Sequence, residues 1–276
     1  MLGAVLIAAA LPVCDLATNA VAQRIAGADP AKCLCRFLDY PPDKGKLGFP
    51  RCLFQDPFPP NPDFWLKDVD FSCVSPWNDS CGALRAGTLI SKRHIVCAAH
   101  FALRKGVRIL FTDNDVGVCP CHIAATKVID GTDIQVAALD ADVTPNIRPA
   151  RILPDDYATY IGNGKGLPVV TFNQHEEAFL TELTAISTNA TSRFQGSRAP
   201  ADKSRTAFRK PIVVGDSGNP AFLLVGKEPI LLYCLKHGDS GSGPALHRYR
   251  REIQAAMDEL CPGYKLESFD FKASLR

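Results

Sequence analysis

Three residues of this chain could together make a nucleophile: His100, Asp133 and Ser217, in that order along the sequence. A serine hydroxyl attacks poorly at neutral pH and needs a neighbouring base to take its proton. Histidine suits that task because its pKa lies near the working pH. A carboxylate on its other ring nitrogen fixes the tautomer and stabilises the imidazolium that forms. On this reading Ser217 is the nucleophile, His100 the general base and then the acid, and Asp133 the orienting carboxylate. Each piece alone says little. A lone Gly-Asp-Ser-Gly is usually an ordinary turn, Ala-Ala-His has even less content, and Asp133-Ile134-Gln135-Val136 could simply start a strand.

Order and context raise the specificity. Gly87-Thr88-Leu89-Ile90-Ser91 leads to Ile95-Val96-Cys97-Ala98-Ala99-His100, then Gly131-Thr132-Asp133-Ile134, then Val213-Val214-Gly215-Asp216-Ser217-Gly218-Asn219-Pro220. From about residue 82 to 262 the chain resembles the chymotrypsin-like serine proteases. It is closest to bacterial-type secreted members with a Gly-Asp-Ser-Gly-Asn-Pro nucleophile box. The resemblance implies an all-β fold of two six-stranded antiparallel barrels with a C-terminal helix and the catalytic cleft between the barrels. It also implies an oxyanion hole made by the N–H groups of Gly215 and Ser217, which stabilises charge that appears only in the transition state. The implied activity is a secreted endopeptidase acting on polypeptides through an acyl-enzyme. Such chemistry needs no cofactor and no metal. A protein inhibitor is a second class of partner. The competing reading is a catalytically silent copy of the fold kept as a binding module.

Gly238-Asp239-Ser240-Gly241 repeats the nucleophile string. Context separates the two serines. After Ser217 come Ala221–Val225, a turn at Gly226-Lys227-Glu228-Pro229 and a returning run Ile230–Leu235, which reads as a β-hairpin. After Ser240, Leu246, Tyr249, Ile253, Ala256 and Met257 recur at helical spacing. Ser240 is therefore expected in a loop near the specificity pocket.

The N-terminus reads as a leader. Leu2–Val13 is nearly all apolar, and Ala20-Val21-Ala22 is a small-x-small site, so residues 1–22 are expected to be a signal peptide; the other reading is a buried N-terminal helix. Of 11 cysteines, ten would remain, an even number suited to disulfides in an oxidising compartment. Cys33-x-Cys35, or Cys119-x-Cys121 with His122, could instead bind zinc. A net charge of +2 across 276 residues argues against nucleic-acid or anionic-membrane partners, and no later apolar run is long enough to span a membrane. Asn78-Asp79-Ser80 and Asn189-Ala190-Thr191 fit the glycosylation pattern.

Residues 23–80 are rich in Pro, Cys and aromatics and are expected to be an extension held by disulfides, covering the first barrel or the cleft. Residues 81–150 carry the runs of the first barrel: Thr88–Ile90, His94–Val96, Val107–Phe111, Ala124–Ile129 and Ile134–Leu139. Residues 151–262 carry the second barrel, from Leu167–Phe172 through Ala178–Ile186, Phe208–Val214 and the hairpin after Ser217, closed by the helix. Residues 263–276 form a tail.

Several positions depart from the family. Its disulfide beside the histidine is absent, with Phe101 after His100 and Arg85 at the partner position. Cys97 stands for a usual Thr or Ser and is expected to be a buried thiol. The 33-residue spacing from His100 to Asp133 is short, and leaves Asp130 as a fallback. At the expected specificity pocket, Pro211 stands where trypsin-like members carry Asp. With Tyr233 and Cys234 it predicts an apolar or small preferred side chain. Arg24-Ile25-Ala26-Gly27-Ala28 resembles an activation site, whose new amine would pair with Asp216. Otherwise Asp216 needs another partner, because an unpaired interior carboxylate is costly.

Overall fold

In the computed structural model, residues 3–38, 59–75, 85–114, 117–186, 194–236 and 241–275 are described, with side chains from Val13 onward. Ser240, Cys52, Cys81 and both glycosylation patterns lie outside them. The chain is mostly β, in two sheets with few helices.

The first sheet holds β1 (Val74–Ser75), β2 (Gly87–Ser91), β3 (His94–Ala98), β4 (Arg108–Thr112), β5 (Val118–Val128) and β6 (Ile134–Leu139), in the order β1-β2-β3-β6-β5-β4. All pairings are antiparallel, and the sheet curls into a nearly closed barrel: Ser75 Oγ on one edge strand donates to the Leu110 carbonyl on the other. The β2–β3 turn is only Lys92-Arg93. Ser91 fixes it, its Oγ accepting from the N–H groups of Arg93 (3.1 Å) and His94 (3.0 Å). Along β5 burial alternates, as the two-residue period of a strand demands. Cys119, Cys121 and Ile123 point inward, while Pro120 and His122 point out.

The second sheet holds β7 (Arg151–Ile152), β8 (Pro168–Phe172), β9 (Ala178–Ala185), β10 (Phe194–Arg198), β11 (Pro220–Val225), β12 (Glu228–Cys234) and β13 (Ser242–Pro244), in the order β13-β10-β9-β8-β11-β12-β7. The hairpin expected after Ser217 is β11–β12, turning at Gly226-Lys227 with Gly226 at φ +64°. The sheet bends back on itself, and the Lys236 N–H just past β12 donates to Ser242 of β13 at 2.8 Å. The run Phe208–Val214, expected to be a strand, is irregular. Only Phe208 reaches β9, its carbonyl accepting the Leu180 N–H at 2.9 Å, and further along β9 the partner is β10. The physical reason is Asp216: its Oδ2 accepts the Val213 N–H at 2.8 Å, curling the run onto the Ser217 turn and leaving Val214 98% exposed. Past β13, a 3-10 turn leads into a helix at Arg250–Leu260 that buries Ile253, Ala256 and Met257.

The N-terminal region takes part in the packing. Gly3–Ile25 forms one helix, α1. Its Val13 and Ala17 are buried in the second core with Tyr157 and Leu223, and its Ala20, Val21 and Ile25 in the first. A cut after Ala22 would sever this packed face. No described helix is long and apolar enough to cross a membrane. The described parts of the expected extension, residues 23–38 and 59–75, also pack into the fold. They supply β1, and Phe71 sits between the sheets, 4.9 Å from the Phe172 ring and 5.4 Å from that of Phe222. The nine described cysteines are free thiols, so among the described residues packing rather than disulfides holds this region.

Candidate active site

The pairing of β3 with β6 positions the first two site residues. Its register ends at Ala98 opposite Ile134, and one step further the Ala99 N–H donates to the Asp133 carbonyl at 3.0 Å. The chain then turns through a single 3-10 turn, Ala99–Phe101, which swings His100 over Asp133. Both carboxylate oxygens are used. Oδ1 accepts the His100 N–H at 2.8 Å, and Oδ2 lies 2.7 Å from His100 Nδ1. Asp133 is buried while the imidazole stays largely exposed. Asp130 lies exposed in the preceding turn.

Ser217 comes from the other sheet, in the turn before β11. His100 Nε2 lies 2.9 Å from Ser217 Oγ. The approach of the two sheets depends on Gly218, whose φ is +85° and whose missing Cβ would sit 3.3 Å from the Ala86 carbonyl oxygen. Its N–H donates to Leu235 at 2.8 Å, tying the turn to the end of β12.

Gly215 has φ +101°, open to glycine but strained for residues with a Cβ. Among the described residues neither Gly215 nor Ser217 uses its N–H in an internal hydrogen bond. Two donors with no internal partner beside a hydroxyl can serve an anionic oxygen. Asp216 is 1% exposed, and its carboxylate accepts the N–H groups of Val213 (2.8 Å) and Gln174 (3.2 Å). Backbone donors thus serve the carboxylate for which the activation reading required an amine, and Ile25 is buried at the end of α1.

The remaining expected positions spread out. Pro211 is exposed. Tyr233 and Cys234 are buried, and the Cys234 thiol lies behind the site, 4.0 Å from the Val96 carbonyl. The nearby Asp133 charge and, above all, burial push that thiol's pKa up. Cys97 donates to Gln135 Oε1 at 3.0 Å, and burial pushes its thiol up to about 12. Both thiols therefore stay protonated near neutrality and neither competes as a nucleophile. Arg85 and Phe101 do meet, with the guanidinium 4.9 Å from the ring centroid, so a cation–π contact occupies the place of the missing disulfide.

The zinc alternative finds no geometry. Strand alternation turns His122 away from the Cys119–Cys121 pair and onto Asp140, 3.2 Å away. Among the described residues no group of three or more His, Cys, Asp or Glu could hold a metal ion. A cavity of about 540 Å³ bordered by Ser91, Arg148, Lys227 and Tyr264 contains no triad residue.

Gln174, in the β8–β9 loop, was not singled out by any sequence motif. Its side-chain Nε2 donates to the Val214 carbonyl at 3.3 Å, and its amide packs on Gly215 where a Cβ would be. No protein-family model matches this chain, and no curated protein matches it.

Proposed function

We propose that this chain is a serine endopeptidase of the chymotrypsin-like kind, hydrolysing peptide bonds through His100, Asp133 and Ser217. What carries the reading is the unbroken chain from Ser217 Oγ to His100 Nε2 and from His100 Nδ1 to Asp133 Oδ2, at 2.9 and 2.7 Å. These are the contacts a nucleophile, base and orienting carboxylate require. The fold reading is supported by the nearly closed first barrel and by the return of β13 toward β12, as a second barrel would require.

In the first step Ser217 Oγ attacks the substrate carbonyl carbon and its proton passes to His100 Nε2. The carbonyl oxygen gains the charge, which the Gly215 and Ser217 N–H groups stabilise. Collapse expels the amine, which takes the proton back from His100, and leaves an acyl ester on Ser217. A water molecule, deprotonated by His100, then attacks that ester, and collapse releases the acid as His100 returns the proton to Ser217 Oγ. Asp133 holds the ring in the tautomer that presents Nε2 as a base, and it stays ionised throughout.

The test is labelling of folded protein with a fluorophosphonate probe, mapped by mass spectrometry, beside Ser217→Ala and Ser240→Ala. Label on Ser217, lost only in Ser217→Ala, is the expected result. A folded parent that takes no label sinks the proposal in favour of the silent binding module.

A further inference from the structure

We infer that Gln174 is a positioning residue for the oxyanion hole, acting as a brace that fixes the direction of the Gly215 N–H. The inference rests on the proposed reaction. Its argument is geometric. The Val214 carbonyl and the Gly215 N–H belong to one planar trans peptide, so they point in opposite directions. Whatever holds the carbonyl aims the N–H. Val214 is 98% exposed and no sheet pairs with it, so its peptide has little else to keep it from turning over. Gln174 holds that carbonyl from its Nε2 at 3.3 Å. Its own backbone N–H donates to Asp216 Oδ1 at 3.2 Å, and its side-chain amide lies against Gly215. One residue therefore touches each of the three positions before Ser217.

A brace must itself be anchored, and Gln174 is anchored by the segment Leu34–Phe37. Asn173 closes the loop, its Oδ1 accepting from the N–H groups of His175 (2.9 Å) and Glu177 (3.1 Å). Glu176 sits at φ +57°, unusual for a residue with a side chain, so surrounding structure must hold it there. Arg36 does so from two sides. Its N–H donates to the Glu176 carbonyl at 2.9 Å, and its guanidinium lies 3.6 Å from the fully buried Glu176 carboxylate. Ala178 donates to Leu34, and Cys35 bridges Glu177. The same guanidinium reaches Val74 and Thr112, both at 3.4 Å, on β1 and β4. The brace thus runs from the first barrel, through Arg36 and the β8–β9 loop, to the Gly215 peptide.

The discriminating variant is Gln174→Met, which keeps the length and packing but removes the donor. Turnover of a peptide amide is compared with affinity for two inhibitors of one peptide sequence. The aldehyde forms a tetrahedral adduct on Ser217, whereas the corresponding alcohol binds without one. Thermal unfolding confirms that the variant is folded, with Gln174→Leu as the substitute if it is not. The expected result is a fall in kcat of roughly 10- to 100-fold with KM little changed, short of the ~10²–10³ for deleting an oxyanion-hole donor. Aldehyde affinity should fall in parallel and alcohol affinity should hold. A general loosening of the site would weaken both inhibitors together and would overturn the brace. Unchanged kcat and aldehyde affinity in a parent that labels on Ser217 would overturn the brace alone. A parent that never labels would overturn both the brace and the reaction it serves.

Discussion

The two halves of the candidate site are built by different means. His100 and Asp133 stand one step beyond the β3–β6 ladder, so backbone pairing of buried strands brings them together. Ser217, Gly215 and Asp216 occupy an irregular turn, shaped by side chains and amides that arrive from Gln174 and, behind it, Arg36. The first half is as rigid as its sheet. The second is as well defined as a set of polar contacts between segments remote in sequence. The Ser217 turn has φ values that no ladder supplies, and the chain holds them by bracing rather than pairing.

Each half can be broken separately. The largest expected effect is on the first. Asp133→Asn keeps the shape but favours the wrong imidazole tautomer, and kcat should fall by about 10⁴-fold, checked by steady-state turnover of a peptide amide. Retained turnover would mean that the ladder's placement of His100 suffices without the charge. Next comes the packing that holds the halves together. Phe71→Ala empties the space between Phe172 and Phe222 and should cost about 3–5 kcal/mol of stability, read from denaturant midpoints. A loss below about 1 kcal/mol would show that the two sheets are joined elsewhere.

The smallest effect is one of pH, and it sets two buried groups against each other. His247 lies under the second sheet with its ring 5.0 Å from that of Tyr157, and burial lowers its pKa from 6.5 to about 4. A base with a depressed folded pKa lends stability that is complete above the unfolded value and lost as pH falls from about 6.5 toward 4. Glu176 works in the opposite sense. Burial raises its carboxyl to about 7 despite the nearby Arg36, so its contribution weakens as pH climbs from about 4.5 toward 7. Replacing His247 with Phe should flatten the acid-side loss of stability and leave the Glu176 slope exposed. Urea unfolding across this range would show it, and an unchanged profile would remove His247 from the account.

The site was legible in the sequence where short-range pattern sets the geometry. The apolar runs around His100 and Asp133 foretell β3 and β6, and the hairpin after Ser217 separates it from the repeated Gly-Asp-Ser-Gly. The rest depends on contacts no local pattern encodes. Phe208–Val214 has strand-like residues, yet only Phe208 meets β9, and Asp216 captures the Val213 amide before the run can extend as a strand. Gln174 is an ordinary polar residue in a short loop, and only the folded chain sets it beside Val214. Helix α1 runs on to Ile25 and buries its later turns in both cores, packing that the apolar run Leu2–Val13 does not foretell. The thiols of Cys119 and Cys121 count evenly toward bridges, yet they face inward from one strand with their sulfurs 3.9 Å apart.

Helix α1 also sets a timetable. It packs against β8 and β11, so its final resting place exists only after the chain has been made past residue 225. At ~5–20 residues per second that is a delay of roughly 10–40 s after Ile25 has been added. Throughout it, the face of α1 that β8 and β11 will cover stays open, although Asp68 and the short helix at Ala158–Ile161 can reach α1 earlier. The order of synthesis, more than the final fold, decides how long that face waits for its cover.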